Sequence, residues 1–160
     1  MFTYRLTQPW EYDEIAALNW LPQSVRDAFS RFSDRTKDII AFKYINNGII
    51  EGVGIAKFKH NRLGTHIVIG HLNVKDGCRG QGIGSALLNH FLEISVQNHV
   101  PCRLQVAPFN RGAKRLYGRF DFSVAPDEQD PGTLWMARYP LSFQPAHNAA
   151  HDFAGDSAAY

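Results

Sequence analysis

Along most of the chain, apolar and polar residues alternate or recur with a period that names the local structure. Phe2 to Thr7 reads as a short strand. Gln8-Pro9-Trp10-Glu11 opens a helix, with proline near its start and an acid in its first turn. Leu21-Pro22 begins a second helix, whose apolar stripe runs through Val25, Phe29 and Phe32. Lys37 to Ile45 and Ile49 to Phe58 are β-branched and aromatic runs, and Asn46-Asn47-Gly48 between them is a hairpin turn. Another strand, Thr65 to Lys75, reaches a glycine-rich loop. The rest reads as a helix from Gly82 to about Gln97, a strand Arg103 to Ala107, a helix Asn110 to Phe120, and strands Phe122 to Ala125 and Thr133 to Tyr139. An antiparallel start followed by a helix crossing to a parallel strand predicts a mixed α/β (α+β) fold.

The interruptions are as informative as the runs. Pro126-Asp-Glu-Gln-Asp-Pro-Gly132 reads as an acidic loop between the last two strands, where turn chemistry explains proline and aspartate as well as recruitment of a cationic partner does. Beyond Pro140 the pattern dissolves, so residues 1–140 are expected as one domain and 141–160 as a flexible tail. His147 and His151 stand at helical spacing in that tail with no third ligand nearby, and no metal site is expected.

Composition narrows the class without naming a function. With 160 residues, 44% hydrophobic and 20% charged, the chain is one globular domain's worth of sequence. A formal charge of +2 on scattered basic residues gives no reason to expect nucleic acid. No apolar run is long enough to cross a bilayer and the first residues lack the layout of a signal peptide, so a cytoplasmic chain is expected. Cys78 and Cys102 make no metal spacing and are expected as free thiols.

Arg79-Gly-Gln-Gly-Ile-Gly-Ser85 carries the first chemistry. Glycines at alternate positions let backbone N–H groups approach a ligand closely, and the helix that starts here leaves its first amides unpaired at a positive dipole end. A phosphate or pyrophosphate is the natural guest, with Arg79 as a fixed cation at the loop mouth. Neither common nucleotide loop fits. No lysine follows the glycines as a P-loop requires, and Ser85 stands where the dinucleotide fingerprint needs its third glycine. The strand at 100–106 also lacks the carboxylate that fingerprint wants.

A second stretch turns this loop into a family resemblance. Arg79, Gly82 and Gly84 meet the acyl-CoA pattern [RQ]-x-x-G-x-[GA]. Leu104-Gln-Val-Ala-Pro-Phe-Asn110-Arg-Gly-Ala113-Lys-Arg-Leu116-Tyr117-Gly-Arg-Phe120-Asp121-Phe122 then follows L-x-V-x-x-x-N-x-x-A-x-x-L-Y-x-x-x-G-F, with Asp121 in place of the glycine. The chain thus resembles the GCN5-related N-acetyltransferase (GNAT) superfamily. That resemblance implies a mixed sheet of about six to seven strands flanked by helices, acetyl-CoA as acyl donor, and an amine acceptor that is either a small molecule or a protein. Apolar strand edges in such folds also allow a homodimer. Asp121 suits the left-handed turn after a helix.

By resemblance, the CoA contacts fall on the backbones of Leu72, Asn73 and Val74, on Arg79, Gly80, Gln81, Gly82, Ile83, Gly84 and Ser85, and on Asn110 and Tyr117. Asn110 is also a good helix N-cap in its own right. Lys114 and Arg111 sit where a 3′-phosphate contact or a solvated helix face are both open. Acetyl transfer needs a neutral amine, and an alkylamine of pKa near 10.4 is neutral in only about one part in a thousand at pH 7. The leaving thiolate then needs a proton. Tyr117, a phenol whose ordinary pKa is about 10, is the candidate acid, its alternative being a core aromatic beside Ala113, Leu116 and Phe120. A base is absent where relatives carry one, since those positions read Val68, Ile69 and Gly70, and Gln105 replaces the glutamate of another branch. His71 and His66 are the nearest titratable groups. His71 is the candidate base, against a water chain ending on a backbone carbonyl, although strand alternation puts it opposite Leu72. Trp10, Tyr12 and Trp20 are expected to be divided between core and acceptor pocket.

Overall fold

The computed structural model describes residues 1–31, 38–130 and 132–141, with the backbone alone at 126–130. Phe32 and all but the first residue of the expected tail, including His147 and His151, lie outside the described residues. In chain order the elements are β1 (Phe2–Arg5), α1 (Pro9–Ala16), α2 (Gln23–Arg31), β2 (Ile39–Asn46), β3 (Ile49–Asn61) and β4 (Gly64–Val74). Then come α3 (Ile83–Gln97), β5 (Cys102–Val106), α4 (Arg111–Arg119), β6 (Ser123–Asp130) and β7 (Thr133–Arg138). The seven strands form one mixed sheet in the order β1-β2-β3-β4-β5-β7-β6. β4 and β5 are parallel, bridged in sequence by α3, while β1/β2, β2/β3, β5/β7 and β6/β7 are antiparallel. By contact the chain divides into two compact units.

The first unit comprises Met1–Lys57 and Gly70–Phe91. Its core gathers Leu6, Tyr12, Ile15, Leu21, Val25, Phe29, Ile39, Ala41, Ile50, Val53 and Ile55, so the apolar stripes of α1 and α2 and one face of β2 and β3 share a single cluster. Asn47 and Gly48, at φ 49° and 77°, make the hairpin turn that the dipeptide demands. α1 is fastened by charge as well as by apolar contact. Glu11 accepts the Thr7 amide at 2.8 Å and the Gln8 amide at 3.0 Å, and Lys43 from β2 reaches Glu11 at 3.2 Å and Glu14 at 3.0 Å. Burial alone would raise the Glu11 carboxyl, but the two amides and the Lys43 ammonium together hold it below the usual carboxylate range.

α3 sits close to β3 because β3 lacks side chains there. A Cβ on Gly52 would stand 2.5 Å from Ile83 Cγ2 and 3.1 Å from Leu87 Cδ1, and one on Gly54 would stand 2.7 Å from the Phe91 ring. Ile83, Leu87 and Phe91 are spaced by four, one stripe of the helix, and all are buried. Two alternate glycines on one strand face thus form a track for one helix stripe.

The second unit comprises Phe58–Ile69 and the described residues from Leu92 onward. Cys102, Leu104, Val106, Phe122, Trp135 and Met136 are buried in it. Both helices ending in this unit close with a left-handed residue that is not glycine. Val100 N–H reaches the Ser95 carbonyl at 3.0 Å past His99 (φ 54°), and Phe122 N–H reaches the Tyr117 carbonyl at 3.1 Å past Asp121 (φ 64°). These are Schellman closures, and the second adds the apolar contact that accompanies the motif, Tyr117 against Phe122 with ring centroids 5.9 Å apart. Replacing Asp121 by glycine is therefore expected to stabilise the fold by about 0.5 to 1 kcal/mol, relief of the left-handed penalty exceeding the added unfolded-state entropy. Urea unfolding midpoints of the two proteins measure this, and a lower midpoint for Asp121→Gly refutes it.

One expected loop is strand instead. β6 runs to Asp130, and Gln129 and Asp130 pair with Leu134 and Thr133 across an irregularity that begins after Val124. β6 ends the strand order, and an edge strand tolerates the missing N–H of a proline and the loop-like composition of residues 126–130.

Candidate active site

In the first unit, the end of β4, from Gly70 to Val74, delivers the chain to the glycine loop. The ladder of β4 with β5 covers only Ile67–Ile69 against Cys102–Leu104, and β4 continues five residues further, to Val74. Leu72 presents a methyl 3.3 Å from where a Gly54 Cβ would stand, so its side chain belongs to the α3 side of the strand. His71, next along, therefore points to the opposite face. It is half-buried, and burial together with the nearby Arg31 charge lowers its pKa, leaving the imidazole neutral at pH 7. Past the strand, Lys75 N–H donates to the Glu51 carbonyl at 2.8 Å and Cys78 N–H to the Lys75 carbonyl at 3.0 Å, a turn with Gly77 at φ 84°. Cys78 is a half-buried free thiol, pushed up by desolvation and by the Glu51 carboxylate, and so it is not an activated nucleophile.

The loop itself uses its glycines unequally. Gly80 and Gly82 take φ 78° and 82°, with nothing within 4 Å of where a Cβ would stand. Packing does not require glycine there, but the backbone angle does, and the space outside the loop is open. Gly84 instead lies in the first turn of α3. The first bond that the helix closes runs from Ala86 N–H to the Gly82 carbonyl at 2.9 Å, so the amides of Ile83, Gly84 and Ser85 precede the helical ladder. Arg79, expected as a fixed cation, is paired with Asp76 at 3.2 Å, and both side chains are largely exposed. Such a pair is weakly held and easily exchanged for a phosphate.

The second unit holds the other candidates, on α4. Asn110 is the N-cap, its Oδ1 accepting the Ala113 amide at 3.1 Å. Arg111 is exposed and Lys114 half-buried. Tyr117 is half-buried against Phe122, and burial raises its phenol above the ordinary value of 10, so it carries its proton throughout the physiological range. His66 is buried in the same unit, where desolvation first, then the charges of Arg103, Lys59 and His60, lower it to about 4. Buried and barely basic, it is a poorer proton acceptor than His71. Gln105 is exposed on β5, and Cys102 is a buried free thiol pushed up to about 12.

Among the expected aromatics, Tyr12 is buried, Trp20 packs against the first unit's core, and Trp10 is 62% exposed with the Lys43 ammonium 5.6 Å from its ring centroid. The strand glycines Gly52 and Gly54 carry no motif, although an isolated glycine inside a strand suggests a bulge or a close approach. Among the described residues no cluster of three or more His, Cys, Asp or Glu is placed to hold a metal, and no helix is long and apolar enough to cross a membrane.

Comparison with known proteins agrees with the fold. The model of the Acetyltransferase (GNAT) family matches residues 4–122, and the chain belongs to that family. Its fold is similar to that of the ribosomal-protein-S18-alanine N-acetyltransferase from Escherichia coli, at 19% identity and TM-score 0.65, with 92% of this chain and 98% of that one covered. It is similar also to Arabidopsis thaliana NAA60 in complex with a bisubstrate analogue, at 17% identity and TM-score 0.64, covering 89% of this chain and 100% of that one. A third likeness is to the PaiA N-acetyltransferase from Thermoplasma acidophilum in complex with coenzyme A, at 15% identity and TM-score 0.67, covering 87% and 99%. No curated protein matches the sequence.

Proposed function

We propose that this chain is an N-acyltransferase that moves an acetyl or other acyl group from acyl-CoA to a primary amine by direct attack within a ternary complex. One observation carries the reading: the two left-handed glycines, Gly80 and Gly82, with open space outside them, lead directly into the unpaired amides of Ile83, Gly84 and Ser85. That arrangement suits a diphosphate. In this reading the backbone of Arg79 through Ser85, Gln81 included, cradles the pyrophosphate, and Arg79 exchanges Asp76 for phosphate oxygen. Leu72, Asn73 and Val74 pair their backbones with the pantetheine amides as an added strand would. Asn110 hydrogen-bonds the pantetheine or ribose-phosphate part while still capping α4.

Acetyl-CoA supplies an activated thioester carbonyl, and the protein supplies position and protons. The amine nitrogen bonds to the carbonyl carbon, the C–S bond breaks, and Tyr117 O–H gives its proton to the departing sulfur. His71, neutral at physiological pH, takes the proton that the amine sheds, and a water chain to a backbone carbonyl is the other route. The acceptor class is a small-molecule or protein amine. The N-acetyltransferase names of the structural neighbours support transfer to nitrogen.

A module that binds acyl-CoA without turnover is the alternative, favoured by Val68, Ile69 and Gly70 standing where a proton acceptor belongs. Calorimetric titration with acetyl-CoA, joined to thiol release across a panel of amines, separates the two. Saturable binding with thiol release supports the enzyme, and binding with silence across the panel supports the module. Gly82→Glu is expected to weaken acetyl-CoA at least about a hundredfold, since it strains φ 82° and puts a carboxylate where the phosphate would lie. A wild-type protein that does not bind acetyl-CoA overturns both readings.

A further inference from the structure

Neither packing nor a left-handed backbone angle requires glycine at position 70. It lies in β4, a strand with neighbours on both sides in the sheet order, and yet it is exposed. Its φ is outside the left-handed region, and a Cβ there would meet only the Ile55 carbonyl oxygen, at an ordinary 3.7 Å. Gly52 and Gly54 differ in kind, because a Cβ on either would stand 2.7 Å or less from an α3 side chain. A side-chain-free position inside a strand weakens it, and such positions often mark a bulge, a bend or the close approach of a ligand. Gly70 is also the first residue past Ile69, the last in the ladder with β5.

Direction supplies the rest, and here the inference rests on the function proposed above. If the diphosphate is held by residues 79–85 and the pantetheine arm lies along Val74 toward Leu72, the arm travels backward along β4. From Val74 to Gly70 is about 13 Å at 3.3 Å per residue, so the thioester end of the arm arrives beside Gly70. We propose that Gly70 sets the acyl capacity of the site: its missing side chain leaves room for an acyl group longer than acetyl, so that propionyl-CoA and butyryl-CoA are accepted as ligands. Leu72, two residues on and on the same face, is occupied against the Gly54 position and closes that side.

The test is calorimetric titration of CoA, acetyl-CoA, propionyl-CoA and butyryl-CoA into wild type, Gly70→Ala and Gly70→Val. Wild type is expected to bind butyryl-CoA within about threefold of acetyl-CoA, and Gly70→Val to weaken butyryl-CoA at least about tenfold, propionyl-CoA less, and free CoA not at all. Valine suits a strand, and unchanged affinity for free CoA reports that the variant is folded. Weakening that ignores acyl length, no weakening in either variant, or a wild type that rejects butyryl-CoA overturns the proposal about Gly70. Failure of wild type to bind free CoA and acetyl-CoA instead overturns the function on which it rests.

Discussion

Lowering the pH from 6.5 to 4 is expected to remove about 3 kcal/mol of folding stability through His66 alone. The imidazole is 1% exposed, and its Nδ1 lies 3.2 Å from the Gly64 carbonyl. That contact favours the protonated ring but is outweighed by desolvation and by the Arg103, Lys59 and His60 charges. Its folded-state pKa of about 4 lies below the ordinary 6.5, so between those values the unfolded chain binds the proton and the folded chain does not. Stability is therefore whole above pH 6.5, falls as the pH drops toward 4, and levels below. Glu11 cannot imitate this, because its lowered carboxyl loses stability only as pH falls below its ordinary 4.5. His71 contributes with the same sign, its pKa also being lowered, and it is separated by substitution. Urea unfolding of wild type, His66→Leu and His71→Ala at pH 7.0, 5.5 and 4.5 reads out these contributions as slopes, whatever each substitution costs at pH 7. If His66→Leu keeps the wild-type slope, His66 is not the acid-labile group.

Removing one hydroxyl, in Tyr117→Phe, is expected to lower turnover by about two to four orders of magnitude while leaving the acetyl-CoA dissociation constant within about twofold. The substitution keeps the ring, and with it the contact with Phe122 and the closure of α4 over Asp121, so the helix end stays in place. In the proposed mechanism only the proton for the leaving sulfur is lost. Because burial raises the phenol, any alkaline loss from this group should set in at higher pH than for an ordinary tyrosine. Stopped thiol-release assays with any amine that supports turnover measure both effects, and a rate within about twofold of wild type removes Tyr117 from the chemistry.

The elements whose periodicity is set by burial were legible in the residues, and their bounds fall within a few positions of those observed. Gly82 to Gln97 became Ile83–Gln97, and Asn110 to Phe120 became a cap followed by Arg111–Arg119. The GNAT pattern was legible because caps, turns and glycines recur at fixed spacing, and Asp121 filled the left-handed position that its place in the pattern required. Residues 126–130 misled because composition reports the preference of a free segment, whereas β7 supplies pairing partners that local sequence does not display. Gly52 and Gly54 are not legible in the sequence for a related reason. Their significance lies thirty and more residues away, in Ile83, Leu87 and Phe91, and a strand pattern scores them only as weak positions. The burial that neutralises His66 and holds Tyr117 protonated is likewise a property of the folded surroundings rather than of either residue's neighbours in sequence.

The bare track on β3 makes the loop's orientation a hereditary property of the strand. Ile83, the first residue of α3, is lodged over Gly52, so the amides that open the helix inherit their aim from a position that no loop motif includes. A methyl gained at position 52 would consequently tilt the mouth of the helix without altering a single letter of the loop. A chain built by transplanting those seven residues onto another strand and helix would copy the spelling of the cradle and lose its direction.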